Sequence, residues 1–178
     1  MNFNSILQNL PEVKSPLQKH LPFKEKLKWT GITLVLFFLL GLVPLYGLGV
    51  NALQQFEQLS IILGASFGSL ATLGIGPLVT ASIVLQLLNG SGIMKFDMSS
   101  QEGKKRFHAL QKLLGVFFIL FEGAIYVFLG GLLPTATLDP ATYRMMEFLL
   151  VGQIALGGLM IMFMDEVVSK WGFGSGIS

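Results

Sequence analysis

From Gln58 to Leu88 the chain reads QLSIILGASFGSLATLGIGPLVTASIVLQLL, 31 positions without a charged residue. As one helix, at about 1.5 Å per residue, this stretch would be roughly 46 Å long, against a hydrocarbon core of about 30 Å. It does not fit a single crossing, and the residues show where it breaks. Gly64, Gly68, Gly74 and Gly76, followed by Pro77, weaken any helix through that region. Backbone groups released inside a bilayer must be satisfied by other protein or by water in a cavity. Two pieces are predicted: a short small-residue segment near 58 to 70, and a half-helix from 75 to 88 whose start lies inside the membrane. Discontinuous helices of this kind mark the working site of channels and transporters. An external loop followed by an ordinary span is the bland alternative.

Working outward, composition supports a lipid solvent. Hydrophobic residues make up 52% of the chain and charged residues 12%, with a mean hydropathy of +0.68, which sets it apart from ordinary soluble domains. The absence of cysteine excludes disulfides, thiolate metal sites and a cysteine nucleophile. The first apolar run follows a polar segment of 29 residues and no small-residue cleavage pattern closes it, so no cleavable signal peptide is expected.

The segment 1 to 29 reads as a tail. Pro11, Pro16 and Pro22 limit it to short pieces, and Phe23 to Trp29, with Phe23 and Leu27 four apart among lysines, reads as an interfacial helix or a solvated connector. A first span is predicted over 30 to 46, with Trp29 and Tyr46 at its two ends where aromatic belts form. The following Gly47-Leu48-Gly49-Val50-Asn51-Ala52 echoes a dinucleotide fingerprint, but no strand precedes it and no βαβ unit is present, so that reading is dismissed. Residues 89 to 106 read as a polar loop, 107 to 133 as a long span ended by Pro134, and 145 to 164 as the last complete span. Residues 165 to 178 follow it, and Glu166 and Lys170, four apart in the favourable order, predict a solvated helical extension there.

Charge fixes the orientation. With the tail inside, the first span runs outward, the half-helix returns, and the next two spans go out and back. Eleven of the twelve lysines and arginines then share one side, with Arg144 alone opposite, a strong positive-inside pattern. Two full spans between 58 and 88 would put the later charges on the wrong face, so the first piece enters from outside without crossing. The sequon at Asn89 then faces inward and is not expected to be glycosylated.

Catalytic machinery is poorly supplied: there are two histidines, no metalloprotease or nucleophile-elbow motif, and no paired carboxylates within a span. No enzyme activity, metal or cofactor is expected. Glu122 is the exception to a clean apolar pattern, near the middle of the third span. An ionisable side chain there costs about 2.5 to 3.5 kcal/mol on insertion scales, so it is protonated in place or faces a partner. Thr80 lies at a suitable depth in the half-helix, and Gln86 and Gln153 are other candidates. Gly64 and Gly68, four apart, permit close helix packing or simply let a loop bend.

Three stretches together are recognisable. FKEKLKWTG from Phe23 to Gly31, LGIGPLVTASIVLQLL from Leu73 to Leu88, and DEVVSKWGFGSGIS from Asp165 to Ser178 closely resemble the SecY family, the channel subunit of the protein translocon, in its archaeal branch. The resemblance runs in order over essentially the whole chain and covers the N-terminal part of a family that has ten spans in two inverted halves. It implies an all-α polytopic membrane helix bundle, a first part ending where a fifth span would begin. The segment 57 to 70, with Ile61, Ile62, Gly64, Phe67 and Gly68, resembles the family's plug, which enters from outside and closes the channel. Ile75 and Val79, with Ile177, match its apolar pore ring; their spacing of four puts Ile75 and Val79 on one helix face. Thr80 and Glu122 match a polar cluster at the lateral gate. The resemblance also implies SecE-type and Secβ-type subunits, the ribosome, signal sequences and nascent polypeptides, and membrane lipids as partners, with no sequence-specific nucleic acid. It implies a multi-pass protein of the cell membrane with a cytoplasmic N-terminus. Half of an inverted-repeat secondary transporter, with Glu122 coupling protons, is the alternative; it predicts polar groups near the helix break, where Leu73, Ile75, Leu78 and Val79 stand instead.

Overall fold

Helix α1 (Phe23–Leu42) runs without interruption through Trp29 and Thr30 in the computed structural model, which describes residues 11–17, 21–51, 57–62, 64–94 and 96–174. The expected interfacial helix and first span are therefore one element. No glycine or proline separates them, and the lysines between are good helix formers. The helix stops before Tyr46 because Pro44 drives Val43 out of the helical region, to φ −84° and ψ 108°.

Strand β1 (Leu48–Asn51) follows, and pairs antiparallel with β2 (Leu132–Pro134) far along the chain. The all-α reading did not contain this ribbon, and β2 takes residues assigned above to the third span. A Cβ on Gly49 would lie 2.6 Å from Thr135 Cα, so the close approach of the two strands depends on glycine.

Three helices and one short turn of helix complete the fold: α2 (Glu57–Ile62), α3 (Gly76–Gly90), α4 (Gln101–Phe128) and α5 (Pro140–Trp171). Helix α3 begins with Pro77 in its first turn, where a missing N–H costs nothing. Helix α4 starts before Phe107, inside the expected loop, because Ser100 Oγ caps it by accepting from Gly103 N at 3.0 Å. Helix α5 likewise starts early, at Pro140, capped by Asp139, whose carboxylate accepts from Thr142 N at 3.2 Å. The Thr142 hydroxyl, and then its N–H, hold the Asp139 carboxyl below the usual range. The same helix runs on through Asp165 and Glu166 to Trp171, and Lys170 pairs with Glu166 at 2.9 Å.

Helix α3 packs on α4, α4 on α5, and α1 on α5. Leu73, Ile119, Leu150 and Ile154 form the buried centre. The outward faces carry bare large apolar side chains, among them Leu34, Val35 and Phe38 on α1, Phe117 and Phe121 on α4, and Phe148 and Leu156 on α5. Helices α4 and α5 are each long and apolar enough to cross a membrane. Exposed apolar surface on this scale belongs in lipid or against further protein, so the bundle is a membrane fold.

Candidate functional site

The broken stretch places its irregular backbone inside the bundle. Ala71 and Leu73 are each 1% exposed and Thr72 is fully buried, which rules against an external loop. Each released polar group needs a partner, and the end of α1 supplies several. Leu70 N donates to Val43 O at 3.0 Å, Leu45 N donates to Gly68 O at 2.9 Å, and Ser66 Oγ donates to Gly41 O at 3.2 Å. The turn satisfies the rest itself: Ser66 N donates to Ala71 O at 3.0 Å, Gly68 N to Thr72 Oγ1 at 3.1 Å, and Ala71 N to Ser69 Oγ at 3.1 Å. Serine and threonine at 66, 69 and 72 thus do for this turn what a helix would do for its own backbone.

Gly68 takes φ +91°, and a Cβ there would lie 2.5 Å from Asn51 Nδ2. Asn51 Nδ2 donates to Phe67 O at 3.0 Å, joining β1 to the turn. Gly68→Ala is expected to destabilise the protein by about 1–3 kcal/mol through backbone strain alone, read as a lowered unfolding midpoint in detergent.

Beyond the turn, Gly76, Pro77 and Leu78 are buried while Ile75 and Val79 are half-buried at the start of α3. Ile75 packs against the core. Thr80 Oγ1 donates to Gly76 O at 3.0 Å, one turn back on its own helix, and its side chain is near that of Glu122 on α4. The other two candidate partners are engaged elsewhere. Gln153 spans the main chain of Tyr46, accepting from its N–H at 2.8 Å and donating to its carbonyl at 3.1 Å. Gln86 Nε2 donates to Ser82 Oγ at 3.3 Å, one turn back on its own helix.

Of the other residues singled out, Ile61 and Ile62 on α2 are 76% and 74% exposed. Gly64 takes φ +55° beside the Phe37 ring. Phe67 meets the Tyr126 ring edge-on, with centroids 6.3 Å apart, which seats this segment on α4 one turn beyond Glu122. Ile177 lies outside the described residues. Among the described residues no cluster of three or more candidate ligands could hold a metal ion.

Sequence reasoning missed Asn51, Ser66, Tyr126 and Gly157. The last lies against the carbonyl of Leu70, and the Gly157-Gly158 pair inside an apolar span was a signal of close backbone approach.

A helix interrupted by a buried, self-satisfied turn within a bundle of apolar helices defines a polytopic helical membrane protein of the channel or transporter class. Residues 69–178 match the SecY family, and residues 35–68 match the plug domain of Sec61p. The chain belongs to the SecY family. It is similar to the protein translocase subunit SecY of Methanothermobacter thermautotrophicus, at 51% identity over 98% of this chain and 37% of the relative. It is also similar to that of Pyrococcus horikoshii, at 45% identity over 94% of this chain and 35% of the relative. A solved structure described as that of a protein conducting channel superposes with a TM-score of 0.82 at 40% identity, over 99% of this chain and 39% of that one. Sec61 in the canine ribosome-channel complex gives the same values. The chain thus spans less than two fifths of the length of these relatives.

Proposed function

We propose that the chain forms part of the wall of a protein-conducting channel that passes unfolded polypeptides across a membrane and releases hydrophobic segments sideways into lipid. The observation that carries this reading is the buried turn at 66 to 74, which presents the start of a half-helix, with apolar Ile75 and Val79, in the interior of a family member. Apolar side chains suit a constriction that excludes water and ions yet grips no passing peptide. Ile75 and Val79, with Ile177, are the pore ring in this reading. Ile61, Ile62, Gly64, Phe67 and Gly68 belong to the plug, and Thr80 with Glu122 to the lateral gate. Conduction needs no bond-making by the chain, so the role is not enzymatic.

SecE-type and Secβ-type subunits, signal sequences, nascent polypeptides and lipid are its partners in this reading. The likeness to Sec61 in a ribosome-channel complex supports the ribosome as another. The charge distribution supports a multi-pass protein of the cell membrane with a cytoplasmic N-terminus.

Crosslinking tests the pore assignment. Single cysteines at Ile75 and Val79 in the full-length protein are expected to capture a stalled translocating chain, and a cysteine at the outward Phe38 is not. Capture at Phe38 with none at the other two removes the assignment.

A further inference from the structure

Where α1 begins and α5 ends, against the middle of α4, four charged side chains meet. Glu166 of α5 accepts from Lys112 of α4 on Oε2 at 2.7 Å and from Lys170 on Oε1 at 2.9 Å. The Lys112, Glu166 and Lys170 side chains are 14%, 16% and 19% exposed, and Lys112 Nζ also lies 5.3 Å from the centre of the Phe163 ring. Taken on the helices alone, this is two cations and one carboxylate in a poorly solvated place, where an unbalanced charge is costly. The fourth charge comes from far away in sequence. Glu12, ahead of α1 and itself 68% exposed, pairs with Lys170 from the solvent side and balances the charge of the cluster.

Residues 11–14 lie across α4 at Lys112 and across the end of α5, and are bonded at every position. Lys112 donates to Pro11 O, and Val13 N donates to Glu166 Oε1 at 3.2 Å. Lys170 donates to Val13 O at 2.6 Å, and Trp171 Nε1 to Lys14 O at 2.8 Å. Ring contacts bring α1 to the same place: Trp29 lies 5.5 Å from Trp171, and Phe23 lies 5.3 Å from Phe173.

We propose that residues 11–14 are a strap and Glu166 its catch, an electrostatic latch that locks the segment across the middle of α4 and the end of α5 and fixes where the chain leaves α5. The strap is held through its main chain and one carboxylate. Pro11 answers to α4, whereas Val13 and Lys14 answer to α5, so all the bonds form only when the two helices keep one relative position. Parting the helices there releases the strap. Releasing the strap, in turn, strips the cluster of its second carboxylate and leaves Lys170 and Lys112 sharing Glu166. The opposed charges make the closed state the one of lower electrostatic energy.

Hydrogen–deuterium exchange on the full-length protein tests this, following peptides over residues 11–17 against a reference peptide within 115–127 of α4. Glu166→Gln and Glu12→Gln are each expected to raise exchange in 11–17 on the order of tenfold while the α4 peptide keeps its rate. Lys112→Met combined with Glu166→Gln is expected to exchange faster than either single variant, because Lys112 also holds Pro11 O and Glu166 also holds Val13 N. Glu12 sits on the strap itself, so its variant decides the matter if a change at Glu166 prevents folding. Exchange over 11–17 that is as fast in the unaltered protein as in an unstructured peptide, or that is unmoved by Glu12→Gln, overturns the latch.

Discussion

Replacing Gly157 by alanine is expected to be among the most damaging single methyl additions in the bundle. A Cβ at this position would stand 1.8 Å from Leu70 O and 2.7 Å from Leu70 C, so the added atom meets main chain, which has no rotamer by which to leave. The contact joins α5 to the buried turn at the heart of the candidate site. Either α5 retreats from the turn or Leu70 moves, and Leu70 N is tied to Val43 O at 3.0 Å. Overpacking costs about 1–3 kcal/mol and sometimes more, and this case belongs at or beyond the upper end, a large share of a typical stability of about 5–15 kcal/mol. The same helix supplies controls. At Gly158 the Cβ would come within 2.8 Å of Ile119 Cγ2, a side-chain methyl, while at Gly152 nothing lies within 4 Å. Thermal unfolding of the full-length protein in detergent should therefore rank Gly157→Ala as most destabilised, Gly158→Ala as intermediate, and Gly152→Ala as unchanged or slightly stabilised by helix propensity. Equal midpoints for Gly157→Ala and Gly152→Ala contradict the close packing of α5 on the turn.

The break itself was legible because it is a conflict of length with composition: an uncharged stretch too long for the bilayer, with glycine and proline at the only place it can yield. Glu122 stood out for a related reason, since an ionisable side chain in an apolar span needs a partner at its own depth. The helix starts were misplaced because hydropathy was allowed to set them. Lys104, Lys105 and Arg106 read as loop residues, yet the cap at Ser100 begins a helix that carries these charges in its first two turns. The β ribbon was not legible, since it pairs residues more than eighty positions apart and each strand is too short to show a period of two. Gln153, an alternative partner for Glu122 by depth, bonds Tyr46 instead, because its reach depends on how α5 is rotated. Pro44 ends α1 and leaves Tyr46 with a bare N–H and carbonyl, and a single amide side chain meets both. No local pattern encodes that. The buried turn needed three dimensions as well: Ser66, Ser69 and Thr72 read as small residues, and only their positions reveal that they satisfy the backbone around them.

Exchanging residues 58 to 64 for a short glycine-serine linker in the full-length channel is expected to raise resting ion conductance across a planar bilayer several-fold. The choice of residues follows from the structure. Helix α2 has six residues, Glu57–Ile62, too few to be stable alone, and beyond it Gly64, with φ +55°, turns the chain. From Ser66 onward the chain is bonded to α1 and to itself, so a deletion reaching Gly68 removes the acceptor of Leu45 N and damages the wall along with the proposed plug. Stopping at Gly64 leaves those bonds in place. The unfolding midpoint then serves as a check that the wall is intact. The bare Ile61 and Ile62 are the chemistry a seal requires, since apolar side chains in a narrow path deny water and ions their hydration. Ile61→Ser with Ile62→Ser should accordingly leak as well, though less than the exchange, because the segment still occupies space. A preserved midpoint with unchanged conductance in the exchanged protein means that residues 58 to 64 seal nothing. A raised conductance in the exchanged protein without any in the double serine variant assigns the seal to bulk, and not to the apolar character of those two side chains.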